Sequence, residues 1–509
     1  MARVTRRQFI QRSSLLVAGS ALGAGCSDGN DKGVGGTQHA IVIGSGFAGS
    51  VAALRLGQAG IATTVLERGQ QWATQGADVF PGTTSFDRRS AWTIPSGLTD
   101  TASPISAYAG LLETVPGENV SVQCGACVGG GSLVYGGVLI QPRREVFNRL
   151  LPELSYDDMD SIYYPRVIRQ IGAAPIPDDV LASPTYTSHR VFIADSERAG
   201  FEVIKPNTSF DWDIIRQEIA GDVPPAASIG DYAFGCNSHA KLSTDKNYLR
   251  DATATGNVEV RSLTEVEMIR ELDRGYAVVC RQISTQGELL QRFELQATHV
   301  FMAAGSMNSS KLLLKSQLAG ELKGANDRIG YGWGTNGDQL LANFSNPPVT
   351  GPQGGPACIA SIDRSNPEYP VTFMHSPWPG NSQLQLAMSV PDEFGQLGYD
   401  PVRDAVQIRW SPDVTTPSAI ARRASFQRLG AASGGAELNL PGFLGKTIWH
   451  PLGGTVMGDA CDHLGQLYGY RNLFVLDGSL LPGSAATVNP ALTVAANAER
   501  IMEALITAW

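Results

Sequence analysis

The chain reads as an α/β protein: a Rossmann-like dinucleotide-binding domain assembled from discontinuous segments, carrying an α+β substrate part built on an antiparallel sheet. Two groups of observations lead there. The apolar run Ala40-Ile-Val-Ile43 passes directly into Gly44, Gly46 and Gly49 at the G-x-G-x-x-G spacing, and a second apolar run, Ala62–Leu66, ends in the acid Glu67. Much later, Thr298–Ala304 and Leu473–Leu476 read as short buried strands, each running into a glycine turn at Gly305 or Asp477-Gly478.

Each part of the first motif has a physical task. Gly44 permits a tight turn out of the strand, Gly46 admits a phosphate close to the backbone, and Gly49 lets the next helix pack on the sheet. The N-terminus of that helix, predicted over 50–59, turns unpaired N–H groups toward an anion. Glu67 stands where an acid would meet a ribose hydroxyl. Val258–Leu263 and Tyr276–Cys280 alternate as strands, and Asn489-Pro490 precedes a helix over about 491–508. The alternating stretches Ser382–Val390 and Ala405–Trp410 predict the antiparallel sheet on the substrate side.

Composition narrows the function. The 509 residues carry a formal charge of −9 and 43% hydrophobic residues, as in a globular enzyme of more than one domain. No Lys/Arg-rich run supplies phosphate contacts, which argues against a nucleic-acid partner. The beginning of the chain reads as an export signal of the twin-arginine type: Arg6-Arg7, a short run of apolar and small residues from Ser14 to Gly25, then a Gly-rich linker to Thr37. Such a signal places the protein in the periplasm or outside the cell, with Cys26 either a lipid-bearing residue or simply removed. The run is too short to span a bilayer. The other six cysteines are too few for a disulfide framework in a chain this long. Cys124-Gly-Ala-Cys127 has redox-motif spacing but lies in a glycine-rich loop, and no metal site is expected.

That loop, Gly125–Gly137, has no strand-to-helix pattern around it and so does not read as a second dinucleotide turn. Either it is a flexible surface loop, or Gly129-Gly-Gly131 clears side chains from a backbone that lies against a flat aromatic ring. His450, in Trp449-His-Pro-Leu-Gly-Gly454, and Asn489, before Pro490, are each compatible with plain structural roles or with chemistry.

Taken in order, the Gly44/Gly46/Gly49 turn with Glu67, Val128–Val134, His450–Gly454, Asp477–Ser479 and Asn489-Pro490 resemble the glucose-methanol-choline (GMC) family of FAD oxidoreductases. Within it the chain is most similar to bacterial cholesterol oxidases with non-covalently held FAD, through Tyr164-Pro-Arg166, Gly235–Leu249, Gly330–Gly337 and Gly465–Ser484. The resemblance runs from about residue 38 to the C-terminus. It implies FAD as cofactor, with Gly44, Gly46, Gly49 and Glu67 on its ADP half, Val266 beside the adenine through its backbone, Gly131 near the flavin, and Asp477 and Gly478 near the ribityl and pyrophosphate atoms. His450 and Asn489 fall on the family's catalytic pair. FAD-binding segments 38–149, 235–325 and 450–509 would alternate with substrate segments 150–234 and 326–449. The implied reaction is oxidation of a secondary alcohol, the 3-hydroxyl of a sterol or another bulky apolar alcohol, with O2 as acceptor and H2O2 as product. The expected state is a monomer making transient membrane-surface contact.

Three departures from the family matter. Met374 takes the place of the glutamate that moves the steroid double bond, so isomerisation is expected to be weak or absent, with His375 and Glu368 as possible substitutes. Tyr135 stands where the family has Asn, and Ala491 where it has Phe. Two alternatives remain open: a dehydrogenase of the same fold using another acceptor on a non-sterol alcohol, and a non-catalytic protein that binds FAD and sterol.

Overall fold

The computed structural model describes residues 39–508 apart from 84, 94–105, 345–348, 350, 378–381, 412–414 and 440–445. Arg6, Arg7 and Cys26, and with them the expected signal, lie outside the described residues. β1 (His39–Ile43) is followed at once by α1 (Phe47–Gln58) and β2 (Ala62–Leu66). After a long excursion the chain returns with β3 (Val258–Arg261), β4 (His299–Met302) and α2 (Gly305–Ala319), and again with β5 (Leu473–Val475) and α3 (Ala491–Thr507). The five strands form one parallel sheet in the order β3-β2-β1-β4-β5. Ala40, Ile41, Val42, Val300, Phe301 and Met302 are wholly buried, as in a parallel sheet covered on both faces.

The chain leaves β1 toward β2 on one side, while β4 lies on the other, so a crevice opens at the carboxyl ends of β1 and β4. This crevice is where the site forms. Tyr276–Ile283 does not join the parallel sheet. It is the middle strand of a three-stranded antiparallel sheet with Thr264–Glu271 and Leu289–Ala297, whose half-exposed alternation matches one solvated face.

The substrate side is a six-stranded antiparallel sheet in the order 436–439, 339–344, 382–388, 371–377, 360–363 and 202–204. The expectation for Ser382–Val390 holds, but Ala405–Arg409 is not part of this sheet. It pairs with Gln396–Asp400 in a separate hairpin, because the Asp400 carboxylate accepts the N–H groups of Val402 and Arg403 and closes a local turn.

The motif Tyr164-Pro-Arg166 acts here as a fold device. Glu499 on α3, with a fully buried side chain, receives Arg55 of α1 at 2.6 and 2.7 Å, the Tyr248 hydroxyl at 2.9 Å and Arg166 at 3.5 Å. Removing a buried ion's partner costs about 3 to 5 kcal/mol. Arg55 and Arg166 are partly exposed and rehydrate, so Glu499→Ala is expected to lower unfolding stability by about 3 kcal/mol in a denaturant titration.

Candidate active site

A cavity of about 650 Å³ runs from the end of β1 past the second glycine loop to His450 and Asn489. At its nucleotide end the three glycines divide their work by space. A Cβ on Gly44, whose φ is +98°, would lie 2.4 Å from the Ala303 carbonyl oxygen at the end of β4. One on Gly49 would lie 2.0 Å from the Gly44 oxygen, so the turn and α1 fit only without side chains. At Gly46 a Cβ would meet nothing within 4 Å, and the residue borders the cavity: this is an open cradle at a helix N-terminus.

Glu67 borders the same end, but its carboxylate also holds the turn together. Oε2 accepts the Ser45 N–H at 3.0 Å and the Ser45 hydroxyl at 2.7 Å, and Oε1 accepts the Gly69 N–H at 2.9 Å. Burial pushes its pKa up, opposed by those donors. Ser45 was not singled out from the sequence. Its hydroxyl also accepts the Gly129 N–H at 3.1 Å, so it ties the first glycine turn to the second loop.

That second loop differs from its sequence reading in two ways. It does lie between a strand, Ser121–Gly125, and a four-residue helix, Gly131–Val134, although the strand pairs outside the parallel sheet. Only Gly131, of the three consecutive glycines, has open space where a Cβ would be. Gly129 and Gly130 have φ of +96° and +54°, and a Cβ on Gly130 would press on Gly46 Cα at 2.8 Å. Two of the three are therefore glycine for backbone reasons. Cys124 and Cys127 are free thiols, pushed up in pKa by burial, which speaks against redox chemistry there.

Val266 also borders the cavity, at a point where its ladder shifts register. Asp477 and Gly478 border it too. The Asp477 carboxylate, however, binds protein: Oδ2 accepts Gly305 N–H at 2.8 Å and the Ser309 hydroxyl at 2.5 Å, and Oδ1 accepts Ser479 N–H at 2.9 Å. It fastens the end of β5 to the start of α2.

At the far end, His450 and Asn489 come together across 39 positions of sequence. His450 Nε2 lies 3.3 Å from Asn489 Nδ2. A residue missed in the sequence organises them. Asp338 Oδ2 accepts the N–H groups of Trp449 and His450, each at 3.0 Å, and Oδ1 lies 2.8 Å from His450 Nδ1. Two residues earlier, Asn336, itself left-handed at φ +57°, donates to the Val488 carbonyl at 2.9 Å and accepts from Ala485 N–H at 2.9 Å. The turn 335–338 thus supports the backbone before Asn489 as well as the imidazole. Ala486 and Thr487, at φ +60° and +67°, are left-handed without being glycine, a conformation that persists only when its surroundings hold it. The available signal was an Asn-Gly turn followed by an acid, at the end of a glycine-rich stretch.

The wall of the cavity also includes Leu340, Ala342, Met374 and Leu386. Met374 and Ser376 border the cavity, whereas His375 points to the other face of its strand. There it is bonded to the Ser188 hydroxyl at 2.9 Å and stacked on Phe192 at 4.9 Å, and burial pulls its pKa far down. Glu368 is exposed and does not border the cavity. Neither stands in for the missing glutamate. Tyr135 borders the cavity with its hydroxyl on Ser209. The carbonyls of Leu133, Tyr135 and Tyr232 all accept from the buried Lys241 ammonium, at 2.8, 2.8 and 2.6 Å. Burial lowers the Lys241 pKa to about 7.

The N-terminal family model of GMC oxidoreductases matches residues 39–332 and the C-terminal one residues 440–498. The chain belongs to the GMC oxidoreductase family. A cholesterol oxidase of Mycobacterium tuberculosis is 26% identical to this GMC oxidoreductase, with 90% of this chain and 89% of the relative covered. One from Acinetobacter baumannii is 24% identical, with 91% and 93% covered. Among solved structures, an FAD-dependent oxidoreductase from Chaetomium thermophilum superposes with a TM-score of 0.66 at 14% identity, and pyridoxine 4-oxidase from Mesorbium loti with 0.60 at 16%. Each superposition covers 92% of this chain and 99% of the other. The solved structures share the fold, and membership of the family makes the chain an FAD-dependent oxidoreductase acting on CH–OH donors.

Proposed function

We propose that this GMC oxidoreductase holds FAD in the cavity and oxidises a secondary alcohol, foremost the 3-hydroxyl of cholesterol or a related sterol, with O2 as the final acceptor and H2O2 as product. The carrying observation is the approach of His450 Nε2 and Asn489 Nδ2 to 3.3 Å at the edge of a largely apolar chamber that is continuous with the Gly46 cradle. The residues fit the cofactor: Gly46 and Gly131 leave room that no protein atom fills, and the first N–H groups of α1 have no partner within the helix. Gly44, Gly49, Glu67 and Val266 would frame the ADP half, and Gly131, Asp477 and Gly478 the rest. When bound, FAD supplies the two-electron acceptor for the hydride of the carbinol carbon.

The protein's own share is positional and electrostatic. An alcohol oxygen set between the two side chains gives its proton to His450 Nε2 and accepts from Asn489 Nδ2 as negative charge grows on it. The apolar wall of Leu340, Ala342, Met374 and Leu386 suits a hydrocarbon body. No carboxylate stands on the 371–377 strand to move a proton within a ring, so the product is an unconjugated ketone. The twin arginines Arg6 and Arg7 suit export of the chain already folded, so that it takes up its cofactor before it leaves the cytoplasm.

Anaerobic mixing with cholesterol, other sterols and small alcohols tests the reading. Sterols are expected to bleach the flavin with little rise in enone absorbance, and air is expected to restore the colour with release of peroxide. A flavin that no alcohol bleaches would defeat the proposal, and reoxidation only by an artificial acceptor would replace O2 by another electron sink. Met374→Glu is expected to raise conjugated enone formation by about a hundredfold, the scale of a positioned general base; an unchanged ultraviolet spectrum removes that wall position from the proton path.

A further inference from the structure

We propose that Asp338 is a positioning residue that fixes His450 as the tautomer protonated on Nδ1, leaving Nε2 bare to receive the substrate proton. The inference rests on the reading of His450 as the proton acceptor and adds what makes it one. The Asp338 side chain is fully buried, and its two oxygens face three N–H positions: the backbone N–H groups of Trp449 and His450 on Oδ2 and the ring Nδ1 on Oδ1. A carboxylate only accepts, so the group at 2.8 Å on Oδ1 must be Nδ1–H. A neutral imidazole has one N–H, and Nε2 is left with its lone pair.

The surroundings agree with this assignment. Asn489 approaches Nε2 with its amide nitrogen, a donor, while its Oδ1 is buried without a hydrogen-bond partner. Were Nε2 protonated, a bare Nδ1 would face the Asp338 oxygen lone pair to lone pair. Among the described residues, Arg422 on the helix Pro417–Ser433 bonds Gln339 at 2.8 Å and Ser389 at 2.9 Å and attracts the Asp338 carboxylate from a distance. The backbone bonds from 449 and 450 also fix where the ring starts, so one side chain sets both the place and the protonation pattern of the imidazole. As Nε2 takes the alcohol proton, the same carboxylate stabilises the imidazolium that results.

The test uses the holoenzyme labelled with nitrogen-15 in histidine. Long-range proton–nitrogen correlation is expected to show the ring that vanishes in His450→Gln protonated on Nδ1 and bare on Nε2. Asp338→Asn keeps the shape and lets the asparagine oxygen serve the two backbone donors, so its amide N–H faces Nδ1. That variant is expected to retain flavin, to show the opposite tautomer, and to lose about 10²- to 10⁴-fold in the rate of anaerobic bleaching. A proton on Nε2 in the native enzyme overturns the proposal, as does a slow Asp338→Asn whose tautomer is unchanged, which assigns Asp338 to structure alone. Should that variant not fold, the native spectrum still decides. If His450→Gln bleaches at the native rate, the functional reading fails instead, whatever the tautomer.

Discussion

Replacing His450 with alanine is expected to leave a folded, yellow protein whose anaerobic reduction by substrate is slowed by about 10²- to 10⁴-fold. The retained colour follows from where the residue sits. The groups framing the nucleotide end, Gly44, Gly46, Gly49 and Glu67, belong to the β1–α1 turn and the end of β2, and none of them bonds to the imidazole. The lost rate follows from the absence of a substitute: Asn489 cannot take a proton at neutral pH, and His375 is turned to the opposite face of its strand and bound to Ser188. Stopped-flow absorbance measures the effect directly. A native reduction rate in the variant would remove the imidazole from the chemistry.

Gly46→Val and Gly49→Val are expected to fail in different ways. A Cβ at Gly46 meets no protein atom within 4 Å, and its φ of −67° is open to residues other than glycine, so the apoprotein should melt within a few degrees of the native one. Its methyl groups occupy the cradle, and overpacking of this kind costs about 1 to 3 kcal/mol, or roughly five- to 150-fold in FAD affinity. At Gly49 the Cβ would stand 2.0 Å from the Gly44 oxygen, so α1 must move off the sheet. The apoprotein itself is then destabilised, and cofactor is lost as a consequence. Calorimetry of the apoproteins with flavin titration separates the two. Equal melting of both variants would show that the packing at Gly49 matters less than its geometry implies.

The parts of this molecule that were legible in its sequence are those whose cause is local. The β1 run, the three glycines and the strand ending in Glu67 lie within 28 residues, and each residue's task follows from its neighbours in the chain. The buried strands at 299–302 and 473–475 could be read from unbroken apolar runs bounded by turns. Asp338, Lys241 and Ser45 could not, because their meaning lies in partners far away. Asp338 meets His450 across 112 positions and Lys241 meets Leu133 across 108. A single buried polar residue has no periodicity, and one sequence gives no sign of what will fold against it. The hairpin of 396–409 was misplaced for a related reason: alternation reports a half-buried strand but not which sheet it joins. At Gly129 and Gly130 the residue type was read correctly and its cause was not, since left-handed backbone and contact with Gly46 required the rest of the fold.

The four-residue turn 335–338 grips the histidine with one of its side chains and the asparagine's approach with another. His450 and Asn489 therefore ride on a common mount, while Met374, Ser376 and Leu386 belong to neighbouring strands of the antiparallel sheet that border the same cavity. Leu340 and Ala342 continue from that turn, whereas Met374 and Ser376 lie on the 371–377 strand, separated from it in the sheet by the 382–388 strand. A lineage built on this plan is free to exchange wall residues, as at Met374, and move to alcohols of new shape with its proton chemistry intact.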